Sequence, residues 1–175
     1  MDNYLKDRIA RVQDFPKKGI LFYDLTPIFA DAMDFADLIL QLQKLIEEKN
    51  LEFDKIAGIE ARGFIIGAPL ALSFEVGFIP IRRCGKLPRQ THRIAHEIEY
   101  GRDCLEIHQA DIAIGERILI VDDVFATGGT AFAAGELVRD CQAEVAGFIF
   151  AAQITGLQKE PLAVSEKVAS LIELP

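Results

Sequence analysis

The sequence predicts an α/β fold: a central, mainly parallel sheet with helices on both faces, a small N-terminal hood and a projecting hairpin. Three observations predict it. Apolar runs of strand length alternate with stretches of helical periodicity, the pattern of a parallel sheet covered on both sides. One of those runs ends in two adjacent aspartates and a Thr/Gly cluster, and in such sheets ligands bind beyond the C-terminal strand ends. Residues 84–109 break the alternation, mixing Gly85, Pro88 and Gly101 with all three histidines, His92, His96 and His108.

In chain order, Phe35, Leu38, Ile39, Leu42, Leu45 and Ile46 fall at helical spacing and predict an amphipathic helix over 33–49, ending at Asn50. "KIAGIE" (55–60) reads as a short buried strand. "GFIIGAPLALSFEVG" (63–77) reads as an apolar helix ended by Gly77, and "FIPIRR" (78–83) as the next strand. "RILIVDD" (117–123) is a third strand, after a turn at Gly115-Glu116. A helix over 130–141 turns Ala134, Leu137, Val138 and Cys141 inward. "EVAGFIFAAQI" (144–154) and "VASLIEL" (168–174) complete the strands. Between them, "RIAHEIEY" and "DCLEIHQ" alternate and predict an antiparallel hairpin turning at Gly101-Arg102. A long irregular excursion in a compact domain is often a lid or binding loop. No repeat, low-complexity tract or linker divides the chain, so 1–175 is expected to be one domain, with a hood over 1–34 and a lid over 84–109.

Composition narrows the partners. Half of the 175 residues are apolar, 26% are charged and the net charge is -8, so a nucleic-acid partner is not expected. Apolar runs fall far short of a membrane span, and "MDNYLKDRIARVQDF" has no apolar signal core, so a cytoplasmic protein is expected. Cys84, Cys104 and Cys141 form an odd set without a CxxC, which predicts reduced thiols and neither a disulfide frame nor a zinc site.

The chemistry lies in "ILIVDDVFATGGTAF" (118–132). The strand delivers Asp122 and Asp123 to its C-terminal end, and Thr127–Thr130 opens the following helix. Unpaired N–H groups and the helix dipole there favour a phosphate, which the aspartates would repel. Carboxylates accept hydrogen bonds from sugar hydroxyls and bind Mg²⁺. One ligand satisfies both: a ribose 5-phosphate, its diol on the acids and its phosphate on the turn. Neither a Walker A loop nor a dinucleotide GxGxxG fingerprint is present.

This stretch resembles the 5-phosphoribosyl-1-pyrophosphate (PRPP) motif of the type I phosphoribosyltransferase family. Three further segments, "DFPKKGILFYDLTPIFAD" (14–31), "EARGFIIGAPLA" (60–71) and "GKLPRQTHRIAHEIEYGRDCLEIH" (85–108), resemble the adenine-specific branch of that family in order and spacing. The likeness runs roughly from Asp14 to Ala152. It implies transfer of phosphoribose from PRPP to adenine, giving AMP and pyrophosphate in purine salvage. By that resemblance Asp122 and Asp123 hold the ribose hydroxyls, and Ala126, Thr127, Gly128, Gly129 and Thr130 wrap the 5′-phosphate. Glu60, Ala61, Arg62, Arg82 and Lys86 take the pyrophosphate, with Arg83 and Arg89 also at the hairpin base. Leu21, Phe22 and Tyr23 meet adenine. Glu99 and Arg62 are the expected catalytic residues, Mg²⁺ arrives with PRPP rather than on a protein metal site, and a homodimer is expected. Tyr23 stands where the family usually has Arg, and His96 where it usually has Tyr. Two alternatives stay open: another purine base such as xanthine or hypoxanthine, and a non-catalytic PRPP-sensing regulator of the same fold.

Overall fold

The computed structural model describes residues 4–98, 101–158 and 167–175, with backbone alone at 96–98 and 101–102. The chain opens with a short helix α1 (Leu5–Arg8) and an antiparallel pair, β1 (Ala10–Gln13) and β2 (Leu21–Asp24), followed by α2 (Thr26–Ala30) and α3 (Ala32–Glu48). Then come β3 (Lys55–Ile59), α4 (Arg62–Ser73), β4 (Gly77–Arg83), the hairpin β5 (Thr91–Ile98) and β6 (Gly101–His108), β7 (Arg117–Phe125), α5 (Gly129–Asp140), β8 (Glu144–Ile154) and β9 (Val168–Leu174).

Seven strands form one sheet in the order β5-β6-β4-β3-β7-β8-β9. From β4 to β9 neighbouring strands are parallel; β6 joins β4 antiparallel and pairs with β5. Alternation along β7 divides the core. Leu119 and Val121 pack with Leu38, Leu42 and Ile46 of α3 and Ile66 and Leu70 of α4. Ile118 and Ile120 face the opposite way, onto Ala134, Leu137 and Val138 of α5 and Cys141 just past its end. Helices therefore cover both faces, and the residues predicted to turn inward on α5 do so.

Element ends follow local chemistry. The Asp31 carboxylate accepts hydrogen bonds from the N–H groups of Met33 and Asp34 (2.9 and 3.0 Å), capping α3. Just past its end, Asn50 takes a positive φ of 49°, which asparagine tolerates better than most residues.

Three expectations are corrected. The helix expected to run to Gly77 stops at Ser73. Its exit turn is closed by hydrogen bonds from Glu75 N–H to Leu72 O and from Val76 N–H to Ala71 O, which frees Gly77 to pair with Lys55. Gly101 and Arg102 are not the hairpin turn but the first residues of β6, opposite Ile98 and Glu97. The thiols are not all free: Cys84 and Cys104 form a disulfide, their Cα atoms 5.3 Å apart, while Cys141 is free and buried. The hairpin folds β6 back alongside β4 and brings these two residues opposite each other, within disulfide reach.

Candidate functional site

The predicted site segments meet at the C-terminal ends of the parallel strands. β3 ends beside Glu60, β4 ends at Arg83, and β7 runs on to Phe125, two residues further than expected. The starts of α4 and α5 lie at the same edge, so their N–H groups and dipoles point where an anion would sit.

Asp122 and Asp123 differ in environment. Asp123 is buried and paired through its carboxylate with the Arg62 guanidinium, whose side chain is half-exposed. Asp122 accepts a hydrogen bond from the Asp123 N–H (2.9 Å). Burial first, and the neighbouring Asp123 charge second, push the Asp122 carboxyl well above the usual carboxylate range; the Asp123 N–H and Arg62 pull the other way. Arg62 also lies over the Phe22 ring, 5.6 Å from its centre, a cation–π distance.

The Thr127–Thr130 turn is built asymmetrically. Gly128 caps α5 in the left-handed region (φ 94°), whereas Gly129 is already the first helical residue. Of the two glycines, only Gly128 has a positive φ. An L side chain in that conformation costs about 1–2 kcal/mol. We therefore expect Gly128→Ala to lower stability by about that amount and to weaken AMP binding, with Gly129→Ala close to neutral. Thermal melts with and without AMP check this; equal losses in both variants would sink it.

Three cavities converge here. One of about 250 Å³ is lined by Asp122, Asp123 and the 126–128 turn with Thr130. A second, about 460 Å³, is lined by Glu60, Ala61, Arg62, Arg83 and Lys86 together with the two aspartates. A third, about 350 Å³, lies under the hood against Leu21, Phe22 and Tyr23. Arg62 lines all three.

The basic residues at the hairpin base separate by strand alternation. Arg82 forks onto Glu60 through two 3.1 Å bonds, and Glu60 also accepts the Arg83 N–H at 3.0 Å. That fork, chiefly, holds the Glu60 carboxyl below its usual range and neutralises an acid beside an anion site. The Arg82 side chain is thus committed to Glu60 and lines neither of the two acid-lined cavities; Arg83 lines both and pairs with Asp103 at 3.3 Å. Arg89 is paired with Asp111.

Under the hood, Phe22 meets Phe15 edge-on at 5.1 Å, and Leu21 is partly exposed. Tyr23 is buried, and its hydroxyl donates to the Pro175 carbonyl (3.0 Å), tying the hood to the end of β9. Glu99, and Tyr100 beside it, lie outside the described residues, as does the side chain of His96.

Sequence reading did not single out Pro16, Ile20, Val124, Ile154 or Leu157, which complete the hood cavity. Ile154 is the last residue of β8, so the rule that ligands gather at C-terminal strand ends would have pointed to it. Gln158 donates to the carbonyls of Ala126 (3.1 Å) and Ile154 (2.6 Å), stitching this edge to the turn before α5.

The model of the phosphoribosyl transferase domain matches residues 30–171, and the chain belongs to the phosphoribosyltransferase family. It is 45% identical over 169 residues to the adenine phosphoribosyltransferase of Clostridium perfringens (strain SM101), covering 97% of both chains. It is 46% identical over 168 residues to that of Synechococcus sp., covering 96% of this chain and 97% of the relative. The adenine phosphoribosyltransferase structure from Thermoanaerobacter pseudethanolicus matches with a TM-score of 0.92 at 44% identity, over 98% of both chains. The Saccharomyces cerevisiae enzyme, complexed with adenine and an imino-altritol bisphosphate, matches with a TM-score of 0.89 at 39% identity, over 95% of this chain and 96% of that one. Within the family, the chain falls among the adenine phosphoribosyltransferases.

Proposed function

We propose that the chain transfers the 5-phosphoribosyl group of PRPP to adenine, releasing AMP and pyrophosphate, as a purine-salvage enzyme. The observation that carries this reading is the convergence of three chemically distinct cavities on Arg62. An acid pair with an anion turn suits ribose 5-phosphate. A cationic recess suits pyrophosphate, and an apolar, aromatic recess suits a flat base.

In the reaction N9 of adenine bonds to C1′ of the ribose, the bond from C1′ to the pyrophosphate oxygen breaks, and N9 passes its proton to the carboxylate proposed for that role, Glu99. Asp122 and Asp123 orient the diol, and residues 126–130 anchor the 5′-phosphate. Ala61, Arg62 and Lys86 receive the departing charge; Arg83 joins them, and Glu60 with Arg82 braces their loop. Leu21, Phe22 and Tyr23, with Ile154 and Leu157, hold the base. Positioning and charge stabilisation supply the rate. Mg²⁺ would neutralise the PRPP pyrophosphate. The acid pair offers the oxygen donors such a hard cation prefers, and no cluster of three or more His, Cys, Asp or Glu with metal-ligand geometry occurs among the described residues. We place the ion with PRPP because its pyrophosphate is itself a dense set of anionic oxygen donors. Glu99 is proposed to close on the base from the hairpin. Glu99→Gln should then lower kcat and kcat/KM together, by about 10²–10⁴-fold for a proton-transfer role; unchanged kinetics would remove that role.

A homodimer is proposed as well. Ile65 and Leu72, seven residues apart on α4, and Leu40 on α3 expose apolar surface that a second copy would cover. Sedimentation at micromolar concentration tests it. A cytoplasmic location is proposed because PRPP and AMP are highly charged and do not cross membranes unaided. Among the described residues no helix is long and apolar enough to span one.

The deciding experiment is a panel of purine and pyrimidine bases with PRPP and Mg²⁺, scored for pyrophosphate. Adenine should react fastest. Reaction with hypoxanthine or xanthine and not with adenine would overturn the base assignment. PRPP binding without turnover on any base would identify a sensor.

A further inference from the structure

Glu106 takes no part in the chemistry proposed above, yet among the described residues it is the most completely enclosed acid of the hairpin. It is fully buried on β6, opposite Arg82 of β4 on one side and Arg93 of β5 on the other. Both carboxylate oxygens are occupied. Oε1 accepts the backbone N–H groups of Lys86 (2.7 Å) and Leu87 (2.8 Å), consecutive donors of one turn. Oε2 accepts Nε of Arg93 (3.0 Å) and the Thr91 hydroxyl (3.3 Å). A buried carboxylate is costly unless paired in this way. Burial alone would raise the Glu106 carboxyl, but the turn N–H groups and Arg93 outweigh it and hold it below the usual range.

The turn that Glu106 grips carries Lys86, whose side chain lines the cationic recess. The Lys86 carbonyl in turn accepts from Nη1 of Arg82 (3.4 Å), and Arg82 is forked onto Glu60. Glu106 therefore holds the backbone of one cation of the recess and, through that turn, abuts the brace of its other wall. It faces the turn rather than the recess and does not line it.

We infer that Glu106 is a positioning residue for the anion end of the site, clamping the 85–87 turn so that Lys86 is presented to the pyrophosphate of PRPP. This rests on the assignment of the Lys86 recess to pyrophosphate. The clamp should act on ligands that carry a pyrophosphate and leave the base pocket alone. A carboxylate that merely stabilised the sheet would show no such preference.

The test uses the full chain as wild type, Glu106→Gln, Lys86→Ala and the double variant. It measures PRPP KM, adenine KM, kcat and inhibition by inorganic pyrophosphate. Glu106→Gln keeps the shape but loses the charge, and should raise PRPP KM and weaken pyrophosphate inhibition about tenfold, with adenine KM within about twofold. Lys86→Ala should do likewise, and the double variant should be little worse than either single one, because the clamp acts through Lys86. Parallel shifts in both substrates' KM, or additive effects in the double variant, would overturn the inference while leaving the recess assignment intact. A Lys86→Ala variant that uses PRPP normally would overturn both. If Glu106→Gln does not fold, amide exchange in the wild type decides. The Lys86 and Leu87 amides should exchange far more slowly than the same amides would in an unstructured chain, and equal rates would show that no clamp exists.

Discussion

Replacing Gly63 with alanine is expected to abolish PRPP-dependent turnover and to destabilise the fold by about 1–3 kcal/mol. Gly63 lies in the first turn of α4, where the helix start is pressed against the end of β7. A Cβ there would sit 2.7 Å from the Val121 carbonyl oxygen, 3.0 Å from Oδ1 of Asp122 and 3.3 Å from the Asp122 Cα. Two of those atoms are backbone of a central strand held by neighbours on both sides, so the helix must move instead. Its displacement carries Arg62 away from Asp123 and disturbs Asp122 at the same time. One methyl group thus strikes the ribose and pyrophosphate ends together. For a domain of this size the melting temperature should fall by roughly 2–4 °C per kcal/mol. Thermal melts paired with PRPP titration check this, and a variant that retains both would show that the helix start slides freely.

The strands of the main sheet, helices α3 to α5 and the Thr/Gly turn before α5 were legible because their signals are local. Ile118–Val121 is a continuous apolar run, and Thr127–Thr130 carries its own turn chemistry. The α3 helix has its apolar residues at helical spacing and its cap at Asp31, and the predicted bounds fall within a residue of those found. What stayed hidden depends on partners distant in sequence. Nothing near Cys84 says that β6 returns alongside β4 to set Cys104 opposite it. Period-two alternation separates the side chains of Arg82 and Arg83, but which one faces the recess depends on Glu60, 22 residues from Arg82. Tyr23 read as a base contact with an unusual side chain. Its hydroxyl is spent on Pro175, 152 residues away, so main-chain and ring atoms are what it can offer a base.

The hairpin gives the plainest case. Along "DCLEIH" the alternation puts Leu105 and Ile107 on the inner face, and both are buried. It also puts Glu106 and His108 outside, yet both are buried too. The pattern describes a strand with one wet face, whereas β6 lies between β5 and β4 and its second face is covered by the 84–90 loop. The described acids of β6 are thus both engaged: Asp103 pairs with Arg83, and Glu106 clamps the turn carrying Lys86.

Asp122→Asn and Asp123→Asn are both expected to weaken PRPP use by at least about tenfold, since each removes a charged acceptor for the diol and its cation. They should move stability in opposite directions. The Asp122 carboxyl is raised by burial and by the Asp123 charge, so its folded-state pKa lies above its unfolded value. Such a group favours the fold while protonated, and that contribution is lost as pH rises from about 4 through the raised pKa. At neutral pH, therefore, the Asp122 carboxyl disfavours the ligand-free fold, and Asp122→Asn should melt higher than wild type. Its melting temperature should also lack the decline that wild type shows over that window. Asp123→Asn instead strips Arg62 of its buried partner. A fully buried pair broken on one side costs several kcal/mol. Arg62 is half-exposed and water can take over part of the role, so a loss of about 1 kcal/mol is expected. PRPP affinity in the wild type should fall as pH drops through the raised Asp122 pKa, because protonation removes the acceptor that the diol needs. Melts from pH 4 to 8 with PRPP titrations at each pH separate these effects. If Asp122→Asn melts below wild type at pH 7, Asp122 is not a strained acid; if it titrates PRPP like wild type, the acid pair does not hold the ribose.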